Sequence, residues 1–482
     1  MIKKNRVLFL ILIGFLISIS LSIYNIKNHD KNIISEDGSY YHKMIKYDVF
    51  RYLSHGDEIK NQLKEGINFF ETGREHYTKY LPPRVMAAYY YIFDIDLFED
   101  ESKIKINSNI HFKFLFFQCF IYFFSVWFFY LSLSKQIDKN IMFFIILFLC
   151  LEPTINQYHS TFWSESIFFS IQIVLMAFIL KKQNSILNFG LIGFFLAILS
   201  FQKEYSIFYI LFIFIYFILT KEKKIFTKFT VMILLFISVQ SILGFNNYFR
   251  SGKFYIMTAD SKVNIFNDMV THVVSKKLNI SHREFVESEG KVVLNWLNEN
   301  SIPFDESKLK SLYSENGNNY DAPKWLDYRD TISEKDKIKF DNFFRQRTVE
   351  YIFDYPTEFF YRIVKNSFHI ALLNPFHIYS DHNFITGEVY YFSEKHDELL
   401  KYRIFYTSAI FAVCLIGLTH MLKKKDFNLL LFLTLSIIYF YGLVSWNGNS
   451  RYFLPAFIYS SFFFGYGADR IMNFYKKKNE IK

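Results

Sequence analysis

Apolar runs separated by short Lys-rich turns organise this chain. Runs long enough to cross a bilayer cover roughly 7–25, 112–133, 140–156, 164–180, 186–201, 205–220, 229–245, 402–422, 427–444 and 453–471. A spanning helix needs about 20 predominantly apolar residues, fewer where flanking side chains snorkel. The third, fifth and sixth runs are at the short end. They are counted because the basic clusters alternate correctly only when all ten runs cross. The first run has the basic start of a signal peptide, but its apolar stretch is long and no A-x-A site follows. It reads as an uncleaved helix.

Six basic clusters punctuate these runs: residues 3–6, Lys135 with Lys139, Lys181 with Lys182, residues 221–224, residues 423–425 and residues 476–478. Short Lys-rich loops stay cytoplasmic. Holding all six inside gives ten helices with both ends cytoplasmic. The expected fold is an all-α polytopic membrane protein with two large polar regions outside. One is the first loop, 26–111, and the other is a mainly helical domain between the seventh and eighth helices. The chain then divides into a membrane module over 1–245, an extracytoplasmic domain over 246–401 and a last group of helices over 402–482. Within the domain, Phe285, Val292, Val293, Trp296 and Leu297 give apolar periodicity. Helical stretches follow near 339–354 and 357–373, divided at Tyr355-Pro356. The second stretch, with Phe359, Phe360, Ile363, Val364, Phe368, Ile370 and Ala371, is amphipathic. It fits a helix on the membrane surface or one packed inside a small domain.

Composition agrees with the membrane class. The 482 residues are 51% hydrophobic and 21% aromatic, too apolar for an ordinary soluble domain of this length. The formal charge of +10 sits largely in the Lys-rich turns, which suits an anionic inner leaflet. No basic stripe with interleaved aromatics points to nucleic acid. Cys119, Cys150 and Cys414 lie in apolar runs without metal-ligand spacing or obvious pairing, so a disulfide framework is not expected.

The polar motifs fall on the side away from the Lys clusters. Glu36-Asp37-Gly38-Ser39-Tyr40-Tyr41 follows the first helix. An acid at the membrane surface can take a proton from an attacking hydroxyl or amine; Asp-Gly is equally a turn. Pro82-Pro83-Arg84 closes the same loop. Arg84 offers a planar donor fork to a phosphate, or is a solvated residue on a rigid turn. Between the third and fourth helices lie Glu152-Pro153, Tyr158-His159 and Ser164-Glu165. Glu165 lines a polar cavity or serves the helix dipole, and His159 lacks a partner at ligand spacing. Lys203 is a cation in a short outer loop, against the charge bias, where it faces an anionic headgroup or pairs with Glu204 at the surface. Arg451, in Asn449-Ser450-Arg451-Tyr452-Phe453-Leu454-Pro455, meets a ligand or anchors an aromatic belt. Asn246-Asn247, where the seventh helix ends, reads as a turn.

Taken in order and on one face, these segments resemble the GT-C class of membrane glycosyltransferases. That class includes bacterial enzymes modifying lipid A or polysaccharide and the protein O-mannosyltransferases. The elements that match are Asp37 with Tyr41 after the first helix, Pro82-Pro83, Ser164-Glu165 opening a helix, Lys203 after the fifth helix, the Asn-rich turn after the seventh, and Arg451-Tyr452 with Pro455. The resemblance covers most of the chain outside about 255–338. It departs at Gly38, where many members have a second acid, so Glu36 stands beside Asp37 as candidate base. It departs again at Lys203, where many have Arg, and at Arg84, where an apolar residue is common. The resemblance implies a hexosyl- or pentosyltransferase in the inner (plasma) membrane, working on its extracytoplasmic face. It would move a sugar, with inversion, from a polyprenyl-phosphate donor to a glycan, lipid or protein acceptor. Asp37 or Glu36 would be the base, Lys203, Arg451 and Arg84 would hold the donor phosphate, and Tyr41, Glu165 and His159 would line the substrate site. No cofactor is implied, and metal ligation stays open. A polysaccharide polymerase or ligase shares the substrates and sidedness. A transporter of lipid-linked glycans would instead place charged or broken positions at mid-helix.

Overall fold

The computed structural model describes residues 2–29, 48–73, 80–96, 98–100, 103–104, 108–162, 164–181, 185–256, 266–303, 332–373, 396–444 and 453–480. The described residues are almost wholly helical; one short antiparallel pair, Phe98–Asp100 (β1) with Lys103–Ile104 (β2), is the exception. Before that pair come α1 (Ile2–His29), α2 (Asp48–Lys64) and α3 (Leu81–Phe93). After it follow α4 (Ser108–Leu133), α5 (Lys139–Leu151), α6 (Glu165–Leu180), α7 (Ile186–Gln202), α8 (Tyr209–Leu219) and α9 (Ile225–Ser251). Helices α10 (Thr271–Leu278), α11 (His282–Glu299), α12 (Glu334–Asp354) and α13 (Pro356–Ala371) precede α14 (His396–Lys424), α15 (Phe427–Val444) and α16 (Ser460–Glu480).

Every apolar run expected to cross folds as helix. Among the described residues, four stretches are long and apolar enough to span a membrane: Arg6–Ile26, Phe112–Leu133, Ile225–Arg250 and Leu400–Lys424. A fifth is Lys139–Leu151 taken with Pro153–Ser160, bent by 42°. Shorter apolar helices accompany them at Glu165–Leu180, Ile186–Gln202, Glu204–Leu219 and Phe427–Gly442. Helices of this composition mark a membrane-associated protein.

Two of the expected runs are broken. The third stops at Leu151 rather than 156. There Glu152 turns extended, its side chain accepts from the Ile155 amide at 2.8 Å, and Pro153 starts a separate turn without an N–H to offer the preceding helix. The tenth divides into Leu454–Phe457 and α16, which runs on to Glu480. Its polar second half, with Asp469, Arg470, Asn473 and Lys476, leaves α16 short of the apolar length that a span needs.

One contiguous apolar core joins the bundle. Helix α4 packs on α1 and α6, α7 on α6 and α9, α5 on α16, and α14 on α16. The α14–α16 contact is backbone against backbone. A Cβ on Gly417 would collide with the Phe463 carbonyl oxygen, and one on Gly467 with that of Val413. Small residues permit this approach where dispersion and not hydration drives packing.

A second core lies between α9 and α14 in sequence. Phe266, Val270, Val274, Phe285, Val293, Leu297, Phe340, Phe344 and Phe359 build it from the turn at Phe266–Val270 that precedes α10 through to α13. Helix α11 starts with a capping box, Ser281 against Glu284. Of its expected apolar positions, Phe285, Val293 and Leu297 are buried, Trp296 packs on Phe343, and Val292 faces out. Pro356 opens α13, where its missing N–H costs nothing.

Candidate functional site

Polar side chains gather where α1 ends and α6 begins. Asn25, in the last turns of α1, donates to the Ser160 carbonyl at 2.9 Å and to its Oγ at 3.0 Å. Gln118 of α4 donates to the carbonyls of His159 (2.9 Å) and Thr161 (2.6 Å). The two amides from neighbouring helices therefore hold the irregular 157–161 backbone inside the bundle, where water cannot serve it. The last turns of α1 pack against this turn.

His159 is fully buried. Its Nδ1 meets Ser166 Oγ at 2.8 Å, and its ring lies on Tyr122 with centroids 3.7 Å apart. Its Nε2 has no hydrogen-bond partner. Among the described residues no group of three His, Cys, Asp or Glu could hold a metal ion. His159 is thus a packed wall residue and not an exposed ligand.

Lys203 and Glu165 form the centre of the arrangement. Glu165 opens α6 and Lys203 caps the end of α7. Both are buried, with Lys203 Nζ 3.5 Å from Glu165 Oε1. In place of a surface position, Lys203 at the end of α7 is turned inward over Phe168 and towards Glu165, while Glu204 begins the next turn. Each charge sits at the helix end its sign favours, and each would be costly alone in an apolar interior. Gln202 Nε2 donates to the Ser164 carbonyl at 2.5 Å, tying the same two helix ends through a neutral bond.

Arg84 stands on the other side of Tyr80. Its guanidinium lies 3.6 Å over the Tyr80 ring. Its nitrogens donate to the carbonyls of Tyr80 (3.3 Å) and Thr72 (3.2 Å) and to Asn246 Oδ1 (3.2 Å). It is not a solvated residue on a turn. Pro82 and Pro83 are buried in the first turn of α3 and point that turn inward. Among the described residues Arg84 has no carboxylate partner, so its charge is met only by neutral oxygens and a ring. Burial lowers its pKa, yet an arginine starts so high that it stays charged. Tyr80 packs on Phe201 at 5.0 Å, which brings Arg84 close to the end of α7 that carries Lys203.

Asn246 corrects a second expectation. It lies within α9, which continues to Ser251 and stops at Gly252 with φ of 71°, so Asn246-Asn247 is no turn. Asn246 is buried, with its Nδ2 donating to the Phe70 carbonyl at 2.7 Å and its oxygen accepting from Arg84. The Pro455 end of the late motif also reaches the site: Gln172 of α6 donates to the Pro455 carbonyl at 2.7 Å. Glu152 accepts from the Tyr406 hydroxyl, joining α14 to the break after α5.

Arg84, His159, Glu165 and Lys203 are thus described, and they converge. Glu36, Asp37, Tyr41, Arg451 and Tyr452 lie outside the described residues. Sequence reasoning missed Asn25, Gln118 and Gln172 as parts of the site; Gln202 and Asn246 stood in candidate motifs, Asn246 as a turn. The signal for Gln118 and Gln172 was a lone amide inside an apolar run, which a membrane interior tolerates only with a partner. Comparison with protein-family models finds no match, and comparison with curated proteins finds none either.

Proposed function

We propose that this protein is a membrane glycosyltransferase of the GT-C type, moving a sugar from a polyprenyl-phosphate donor to an acceptor on the extracytoplasmic face. One observation carries the reading: the 80–84, 157–166, 202–203 and 246 segments, far apart in sequence, meet as one polar cluster at the end of an apolar bundle. The proposed layout has ten spans and both termini inside, on the strength of the six Lys-rich clusters. It puts the cluster outside, where nucleotide sugars are absent and lipid-linked donors are present. A polyprenyl tail would lie among lipid-facing helices while its phosphate reached the cluster.

In this reading Asp37, with Glu36 as its alternate, takes the proton from the acceptor nucleophile. The nucleophile attacks the anomeric carbon from the face opposite the phosphate. The bond from that carbon to the phosphate oxygen breaks, and polyprenyl phosphate departs with the bonding electrons. A cation already in place stabilises the departing charge without reorganisation. Arg84 suits that role because no carboxylate among the described residues claims it, and Arg451 is the second candidate. Lys203 is reassigned: held by Glu165, it sets the wall of the site. Tyr41 would contact the substrate, and the buried His159 supports the wall behind it.

Surface glycans from a deletion strain, compared by mass with the parent, test this reading. The reading expects the loss of one sugar, restored by the wild-type gene. Asp37→Asn keeps shape and hydrogen bonding but cannot accept the proton, so transfer should fall by about 10²–10⁴ with insertion intact. Near-normal transfer in Asp37→Asn moves the base to Glu36. An unchanged glycan in the deletion strain removes the enzyme reading.

A further inference from the structure

Helix α13 carries two apolar faces. Phe359 and Ile363 turn into the core of the 266–363 domain. Phe360, Val364 and Phe368 recur at four-residue spacing on another face, and that face is open: Phe360 is 68% exposed and Phe368 73%. Tyr361 is exposed beside them. A helix of a soluble domain needs one apolar stripe, and a second stripe of aromatics in water marks a surface with a partner.

The position of α13 identifies that partner. The Tyr441 hydroxyl of α15 donates to the Ser367 carbonyl at 2.7 Å. The Leu373 amide donates to Thr407 Oγ1 at 2.9 Å, and Arg403 donates to the carbonyls of Leu372 (2.9 Å) and Leu373 (3.2 Å). The apolar stretch of α14 begins at Leu400, and that of α15 ends at Gly442. Both therefore pass their membrane boundary at the level of residues 367–373. Exposed aromatics continue along the first turns of α14, at Tyr402 and Phe405. Lys365, exposed and three residues before Phe368, suits a headgroup phosphate while its stem follows the apolar face.

We propose that α13 is an interfacial helix, its Phe360–Val364–Phe368 face seated at the headgroup–acyl boundary of a phospholipid bilayer. It thereby clamps the 266–363 domain to the membrane. The proposal rests on α14 and α15 crossing the bilayer and is independent of the glycosyl-transfer reading. A second copy of the chain is the rival occupant.

Nitroxide labels on single cysteines at 360, 364, 368 and, as a reference, 354 test it in the full-length protein. The protein is reconstituted in phosphatidylethanolamine–phosphatidylglycerol nanodiscs, one copy per disc, and again in vesicles. In the discs, oxygen should collide with labels 360, 364 and 368 more often than a water-soluble nickel chelate does, and the reverse should hold at 354. Dominance of the chelate at all three positions overturns the proposal. So does spin–spin broadening between copies in vesicles at these positions, which assigns the face to a second copy. Should a labelled variant lose its fold, Phe360→Trp and Phe368→Trp replace it, read against the unsubstituted protein with brominated lipid. Lipid quenching of the added fluorescence is expected, and its absence is contrary.

Discussion

Lys203 and Arg84 bring positive charge to the same end of the bundle and are neutralised differently. Lys203 is buried against a carboxylate, Glu165, at 3.5 Å. Arg84 is met by two backbone carbonyls, an amide oxygen and the Tyr80 ring. A pair of opposite charges has little net field to offer a ligand. A cation held only by neutral dipoles keeps its field and can receive an anion without first breaking an ion pair. In the sequence the two residues look alike as cations beside apolar runs, and their described partners distinguish a charge held in an ion pair from one met by neutral groups.

The largest effect should come from unbalancing the buried pair. Glu165→Gln removes the carboxylate that lies against the buried Lys203 charge and should cost about 3–5 kcal/mol, read as a lowered melting temperature in detergent. The double variant Glu165→Leu with Lys203→Met should recover most of that loss. If the single variant melts like the parent, Lys203 is not held by Glu165 and the contrast with Arg84 collapses.

Asn246→Asp sharpens the contrast from the other side, because it gives Arg84 a counter-ion where the described residues provide none. Stability should hold or rise, while use of a polyprenyl-phosphate donor should fall about tenfold, which is about 1.4 kcal/mol. Undiminished donor use alongside higher stability would show that the Arg84 field is not what the ligand meets.

Much of the scaffold was legible in the sequence, and its partnerships were not. Apolar runs gave every bundle helix, because an apolar surrounding leaves a backbone no other way to satisfy its own groups. The breaks at Glu152 and after Phe457 were hidden, since capping by a side chain and a local turn leave hydropathy unchanged. Glu165 and Lys203 were singled out separately, Lys203 as a cation for the donor phosphate with a surface pair to Glu204 as the alternative. Its contact with Glu165 spans 38 residues, across a helix pair. Asn246 read as a turn because asparagine favours turns, yet its bond to Arg84 over 162 residues keeps it in a helix.

Lys60 supplies the smallest test and an internal control. It is buried like Lys203 and balanced by Asp57 at 3.0 Å and Asp96 at 2.7 Å. The hydrogen bond from Lys60 holds the Asp96 carboxyl below its ordinary range. A depressed folded value stabilises the fold above the unfolded pKa of about 3.9 and is lost as pH falls through the folded value. Asp96 is largely in water, so the effect should be slight. Melting temperature followed into the acid range should decline a little less steeply in Asp96→Asn than in the parent, and identical slopes would show that the contact contributes nothing.

Binding of polyprenyl phosphate, the proposed leaving group, tests the central claim most directly. The wild type and Arg84→Ala are compared in nanodiscs by titration with the lipid, with dodecyl phosphate as a short-chain reference. The account predicts saturable binding to the wild type and affinity at least about tenfold weaker in Arg84→Ala, equivalent to about 1.4 kcal/mol. Equal affinity in the two proteins, or no saturable binding to the wild type, would contradict it.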